Sequence, residues 1–222
     1  MKVWVLIGGP GAGKGTQAQM LADRLGLPHV ASGDLFRSHI RDDTSIGRRA
    51  NRYITAGSLV PDEVTVKMIE QRLSEPDAAA GAILDGFPRT RPQAEALAVL
   101  LARRGGQVAG ALYLDVDSEV LLRRLSGRWL CEASEDHLYH ELSLPPRQPG
   151  VCDIDGSPLY QRADDQPTTV RARLDKQLPP MFEVVDFYAD AGLLSTVDAE
   201  LPPEEVTEAL LRVMTSASAA GR

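Results

Sequence analysis

Residues 5–21 read VLIGGPGAGKGTQAQML and join two unlike patterns through a glycine-rich turn. Val3 to Ile7 is continuously apolar and β-prone, as a strand buried on both faces should be. From Lys14 to about Leu25 the apolar residues Ala18, Leu21, Ala22 and Leu25 recur at helical spacing, and Gly26-Leu27-Pro28 closes the segment. Between them Gly8, Gly13 and Lys14 satisfy G-x-x-x-x-G-K, with Gly15 next and the hydroxyl one residue later, at Thr16. Glycines let backbone N–H groups turn toward phosphate oxygens, the helix start adds its positive end, and the lysine ammonium bridges outer phosphates. The same glycines would serve a bare strand-to-helix connection. Strand, lysine and helix together favour an anion cradle.

Outward from the turn the alternation continues. HVA (29–31), AILDG (82–86), GALYLDV (110–116) and LLSTVD (193–198) are short apolar runs separated by helical stretches. RPQAEALAVLLARR (91–104), DSEVLLRRLS (117–126) and PEEVTEALLRVM (203–214) each carry an apolar stripe. This pattern predicts an α/β chain with a parallel sheet and helices on both faces. Pro179 and Pro180 are expected to kink or break the helical stretch from about 168 to 191, and the tail from 215 to 222 to fray. Two segments interrupt the alternation: 33–60 is polar and helical, with AGSLVPDEVT (56–65) returning to the core, and 128–163 is rich in proline, glycine and β-prone pairs. Both read as small inserts on one edge of the core.

Composition narrows the function. A chain of 222 residues with 43% hydrophobic and 25% charged residues suits one soluble globular protein. Its net charge of -7 argues against nonspecific binding to nucleic acid or an anionic membrane, so any anion needs a local cluster of cations. The amino-terminal apolar run is too short for a signal-peptide core, and no stretch approaches the roughly 20 apolar residues of a membrane span. Two cysteines point to a reducing compartment, and the expected address is the cytoplasm.

GGPGAGKGT (8–16), VASGDLFR (30–37), DGFPRTRPQAE (85–95) and YQRADDQPTTVRARL (160–174) stand in this order. Together they resemble the adenylate kinase family in its long form, over Lys2 to about Val206. The resemblance implies a P-loop NTPase-type three-layer α/β/α fold with a five-stranded parallel sheet. It further implies a core of 1–32, 61–127 and 164–222, a helical AMP-binding insert at 33–60 and a β-rich lid at 128–163. The implied reaction is MgATP plus AMP giving two ADP, reversibly, by a monomer. ATP would meet Gly11, Ala12, Gly13, Lys14, Gly15, Thr16, Arg124, Arg128, Leu138 and Tyr139. AMP would meet Ser32, Arg37, Ser58, Leu59, Val60, Gly86, Phe87, Arg89, Gln93, Arg162 and Arg173. Lys14, Arg89, Arg128, Arg162 and Arg173 would serve catalysis, and Asp85, ending a strand, would order water around magnesium. Read alone, Arg89 suggests a surface salt bridge and Gln93 an exposed helix residue. In the motifs they become phosphate and adenine contacts, since an amide offers one donor and one acceptor to adenine.

The resemblance also sets a pattern for the lid. Cys131, Ser134, Cys152 and Asp155 echo the four zinc ligands of many long-form lids, although serine is a poor ligand and the interval is one residue longer. Glu135 or His137 offers a fourth donor instead. A structural zinc at Cys131, Cys152 and Asp155, a metal-free hydrogen-bonded quartet and a disulfide all remain open; Ser134 tilts the balance slightly toward the metal-free form, and a reducing compartment against the disulfide. Tyr139 and His140 match a dipeptide near the donor nucleotide, while Ala199 replaces a glycine near the donor base. Two rival activities stand beside the main one: the same fold with a GTP donor or a pyrimidine monophosphate acceptor, and a nucleotide-dependent switch without transfer.

Overall fold

The protein is described by a computed structural model covering residues 1–134, 137–162 and 165–220. Strand β1 (Lys2–Ile7) runs into the glycine turn and helix α1 (Lys14–Leu25), followed by β2 (His29–Ala31). Helices α2 (Ser32–Arg41), α3 (Ser45–Ile54) and α4 (Asp62–Arg72) lead to β3 (Gly81–Asp85), α5 (Arg91–Arg103), β4 (Gln107–Asp115) and α6 (Ser118–Ser126). Short strands β5 (Arg128–Cys131), β6 (Leu138–His140) and β7 (Leu159–Tyr160) precede α7 (Pro167–Asp190), β8 (Leu194–Asp198) and α8 (Pro203–Ala220).

The main sheet has the order β2-β3-β1-β4-β8, and every pairing is parallel. Strand β1 is buried on both faces because its alternate side chains meet different helical layers. Val3, Val5 and Ile7 join Ile69 of α4, Leu97 and Leu101 of α5, and Val184 and Tyr188 of α7. Trp4 and Leu6 join Leu21 of α1, Leu121 and Leu125 of α6, and Leu210 of α8. This is the α/β sandwich the alternation implied. The connection from β1 runs toward the β2 edge and the one from its neighbour β4 toward the β8 edge, so the crevice beyond the carboxyl ends of these strands is a topological switch point, where ligands of such sheets bind.

Beside the crevice, α2 and α3 pack their own small core of Phe36, Ala50, Val60, Val64 and Met68. Strands β5, β6 and β7 form a separate antiparallel sheet in the order β6-β5-β7, closed around Cys131, Tyr139, Cys152 and Leu159. Neither cluster is large.

Three details depart from the sequence reading. Helix α4 was concealed in the returning segment, where Val64, Met68 and Ile69 supply its buried side. Helix α7 runs unbroken through Pro179 and Pro180. The carbonyls left without their helical donors by the two prolines belong to Asp175 and Lys176, both exposed residues. Helix α8 extends to Ala220, through most of the tail expected to fray.

Candidate active site

The glycine turn is built as its sequence demands. Gly13 caps α1 at φ 92°, a left-handed conformation that glycine adopts without strain, and the first turn of α1 carries no acidic residue to offset its positive end. Lys14 folds back over the turn, its Nζ donating to Gly8 O at 2.9 Å and Gly9 O at 3.0 Å. Burial of the ammonium pushes its pKa down to about 8; Asp85 opposes the shift, and Arg89, Arg173 and Arg128 add to it. One lysine thus senses three arginines from three separate parts of the chain.

Asp85 ends β3 opposite that lysine. Burial raises its pKa, but a hydrogen bond from His29 and the charges of Lys14 and Arg89 outweigh it and hold the carboxyl below its ordinary value. His29 Nε2 lies 3.3 Å from Asp85 Oδ2. A β-carbon on Gly15 would sit 3.6 Å from the same oxygen, an ordinary contact, so the carboxylate lies right beside the turn.

Beyond β3, Arg89 is held by its Nε on Gly86 O at 2.7 Å and its Nη1 on Gln177 Oε1 at 3.0 Å. Ser32, the first residue of α2, donates to the same Gly86 O at 2.6 Å. Gln93, far from being an exposed helix residue, is 1% exposed. Its Oε1 accepts from the Arg89 N–H at 2.8 Å and its Nε2 donates to Asp62 Oδ1 at 2.7 Å. Phe87 lies in the hydrophobic core. Arg37 sits on α2, paired with Asp34, and Ser58, Leu59 and Val60 form the connection into α4.

The arginines of the small sheet and of α7 converge on one buried acid. Arg128 makes a bidentate pair with Asp165, Nε to Oδ2 at 2.8 Å and Nη2 to Oδ1 at 2.7 Å. Arg173 Nη1 reaches the same Oδ1 at 3.2 Å. Asp165 is 1% exposed, and its N–H bonds Arg162 O at 3.0 Å, so Arg162 belongs to the same turn. Arg124 points elsewhere, donating to Ala199 O at 3.0 Å; Ala199 in turn bonds Asp115 O through its own N–H.

In the small sheet, Cys131, His137, Cys152 and Asp155 bring one donor atom each within 4.8 Å of one another. Cys131 Sγ lies 3.4 Å from both Asp155 oxygens, Cys152 Sγ lies 3.4 Å from His137 Nδ1, and that nitrogen lies 3.0 Å from Asp155 Oδ2. Backbone N–H groups at 133 and 134 face Cys131, and those at 154 and 155 face Cys152. Burial still leaves the Cys131 thiol raised, whereas at Cys152 the bonds from Tyr139 and the backbone overcome burial and lower it. Both cysteines are free thiols. Of the alternatives to Ser134, His137 brings a donor atom into this group; Glu135 lies outside the described residues.

Leu138 is exposed, and Tyr139 is buried with its hydroxyl accepting from Asp153 N at 2.7 Å. His140 Nδ1 accepts from Leu142 N and Ser143 N, both at 3.2 Å. Its proton therefore sits on Nε2, facing Arg123 O at 3.2 Å, where it ties β6 to the end of α6. Four residues escaped the sequence reading: His29, Asp62, Asp165 and Gln177. Asp165 alone carried a signal, as an acid amid the arginines of YQRADDQPTT.

Comparison with known proteins gives a consistent result. A family model described as Adenylate kinase matches residues 6–193. A protein of Streptomyces avermitilis named "Adenylate kinase" is 46% identical over 204 residues, covering 92% of this chain and 93% of that one. One of the same name from Acidothermus cellulolyticus is 48% identical over 203 residues, 91% of this chain and 93% of its own. Another from Listeria monocytogenes is 42% identical over 212 residues, 96% and 98% of the two chains.

Proposed function

The chain belongs to the adenylate kinase family and is an enzyme of phosphoryl transfer between ATP and AMP; from that premise we propose how its residues divide the work. The core comprises 1–32, 61–127 and 164–222, the helical insert 33–60 closes over AMP, and the sheet-bearing segment 128–163 closes over ATP. The chain acts as a monomer in the cytoplasm.

The donor phosphates rest on the backbone of Gly11 to Thr16, with Lys14 across their outer oxygens. Lys14 now donates to Gly8 O and Gly9 O, so ATP offers the ammonium stronger acceptors than it already has. Arg37 and Arg89 take the AMP phosphate, and Ser32, Val60 and Gln93 frame its nucleoside. Arg128, Arg162 and Arg173 close on the group in transit. Phosphoryl transfer asks mainly for in-line positioning and neutralised oxygens, so no general base is required. Adenylate kinases use magnesium with ATP; when bound, it neutralises charge between the outer phosphates. The ionised Asp85 beside Gly15 fits the role of holding its water shell. Closure excludes bulk water and keeps ATP from hydrolysis.

The observation that carries this reading is geometric: Arg128 and Arg173 share Asp165, and Arg89 is tied through Gln177 to the helix that bears Arg173, which supports their convergence on one site.

For the small sheet we propose a structural zinc on Cys131, His137, Cys152 and Asp155. Two sulfurs, one imidazole and one carboxylate are a donor set zinc accepts in tetrahedral sites. The backbone N–H groups aimed at both sulfurs suit thiolates, and a cluster core of four buried residues gains most from a cross-link.

A coupled assay across nucleotides tests the activity. ADP formation from ATP and AMP should exceed that from any other pair; strong turnover of CMP or UMP with none of AMP would overturn the assignment, and loss of neither activity in Arg89→Ala and Arg173→Ala would leave the arginines without their role.

A further inference from the structure

Gln177 lies within α7, buried, with its two amide atoms committed to distant parts of the chain. Its Oε1 accepts from Arg89 Nη1 at 3.0 Å, and its Nε2 donates to Gly57 O at 3.0 Å. Both bonds require the same amide orientation, because a guanidinium only donates and a carbonyl only accepts. Arg89 Nε is held on Gly86 O, so two oxygens from different elements set the plane of its guanidinium.

The other partner, Gly57, sits where the 33–60 segment turns back to the core. Its φ is +66°, and a β-carbon there would lie 3.0 Å from Arg173 Cγ and 3.7 Å from Thr169 O. Lys176 Nζ adds bonds to Ala56 O at 2.9 Å and Ser58 Oγ at 3.3 Å. Residues 169, 173, 176 and 177 fall on one face of α7, so this face seats the 56–58 turn against bare backbone.

We propose that Gln177 is a positioning residue for the acceptor nucleotide: it sets the Arg89 guanidinium and couples that setting to the turn through which the insert rejoins the core. The inference rests on the assignment of Arg89 to the AMP phosphate. Neither bond of Gln177 involves the glycine turn, Arg124 or Arg128, so its influence falls on AMP and spares ATP. Glutamate at this position keeps an acceptor for Arg89 but faces Gly57 O without a donor, and adds negative charge beside an anionic ligand. Methionine keeps the length and removes both bonds.

The test measures AMP binding and ATP binding separately by calorimetry, together with KM and kcat, on the full chain and on Gln177→Met, Gln177→Glu, Arg89→Lys and the Gln177→Met/Arg89→Lys pair. Gln177→Met should weaken AMP about 10-fold while ATP affinity stays within about twofold. Gln177→Glu, which stays polar if the methionine variant fails to fold, should weaken AMP further. In the double variant the methionine should cost AMP affinity little beyond the lysine change, since both act through one guanidinium. Equal losses for AMP and ATP, or additive losses in the pair, would overturn the proposal in favour of a packing role. If Arg89→Lys binds AMP normally, the underlying assignment of Arg89 fails; if Arg89→Lys is impaired and Gln177→Met is not, only the coupling fails.

Discussion

The Gln93 amide is clamped at both ends, its Nε2 2.7 Å from Asp62 Oδ1 and its Oε1 2.8 Å from the Arg89 N–H. A carboxylate accepts and an N–H donates, so the amide cannot flip. What Gln93 has left is one N–H and one oxygen lone pair in fixed order. If that oxygen faces position 6 of a purine, it accepts from the amino group of adenine and repels the carbonyl of guanine or hypoxanthine. Asp62→Ala should therefore lower the preference for AMP over IMP by about 10-fold, read as the ratio of their kcat/KM values, and an unchanged ratio would remove Asp62 from specificity.

Asp165 is shared by Arg128 and Arg173. Asp165→Asn leaves two guanidinium groups around a neutral amide, and breaking a buried pair of this kind typically costs about 3–5 kcal/mol. The variant should melt earlier than the parent and lose kcat by about 10-fold or more. Denaturant unfolding and steady-state kinetics measure the two effects separately, and a variant unchanged in both would show the acid to be incidental.

Lys14 carries the pH dependence of the donor site. Its pKa is lowered from an ordinary 10.5 to about 8, so in the free enzyme the ammonium is lost as pH rises through that value. The kcat/KM for ATP, which reports free-enzyme ionisations, should fall on the alkaline side of about pH 8. In Lys14→Met this limb should vanish, although activity is low. The sign for stability is opposite: between about 8 and 10.5 the unfolded chain binds the extra proton, so this group makes folding more favourable as pH rises across the window.

The sulfur cluster predicts metal content. Protein purified without chelators should carry about one zinc per chain, and His137→Ala should lose most of it. Prolonged chelation should lower the melting temperature of the parent but barely move that of the histidine variant. Metal-free parent protein with the same melting curve as zinc-loaded protein would instead favour a hydrogen-bonded quartet.

Much of this was legible in the chain because it rests on local pattern. The apolar run of β1, the helical spacing after Lys14 and the repeating alternation each follow from side-chain periodicity, and the parallel sheet followed from them. Helix α4 was hidden because it begins directly after Pro61, inside a stretch read as a return to the core. A kink or break is expected at the proline pair from the lost bonds; the helix does not break there, and the residues whose carbonyls lose their donors, Asp175 and Lys176, lie on the exposed side. Residues acting on other residues were the least legible. His29, Asp62 and Gln177 sit 56, 31 and 88 positions from the side chains they hold, and nothing in local spacing announces such partners. His137 was visible only as one of two alternatives to Ser134, and its place beside both cysteines and Asp155 depends on how the loop folds.

The unbroken course of α7 sets a limit on how the chain can change. Arg173 meets Asp165 near one end of the helix, Lys176 and Gln177 hold the 56–58 turn and Arg89, and Val184 and Tyr188 are seated in the core below. These contacts share one rotational phase. Inserting or deleting a single residue between Arg173 and Gln177 would swing one group by about 100° relative to the other, since a helix turns every 3.6 residues. Length variation along the lineage should therefore avoid this span and collect in the loops of the small sheet, and grafting a differently phased helix would disconnect the two ends of the cleft while leaving every individual side chain in place.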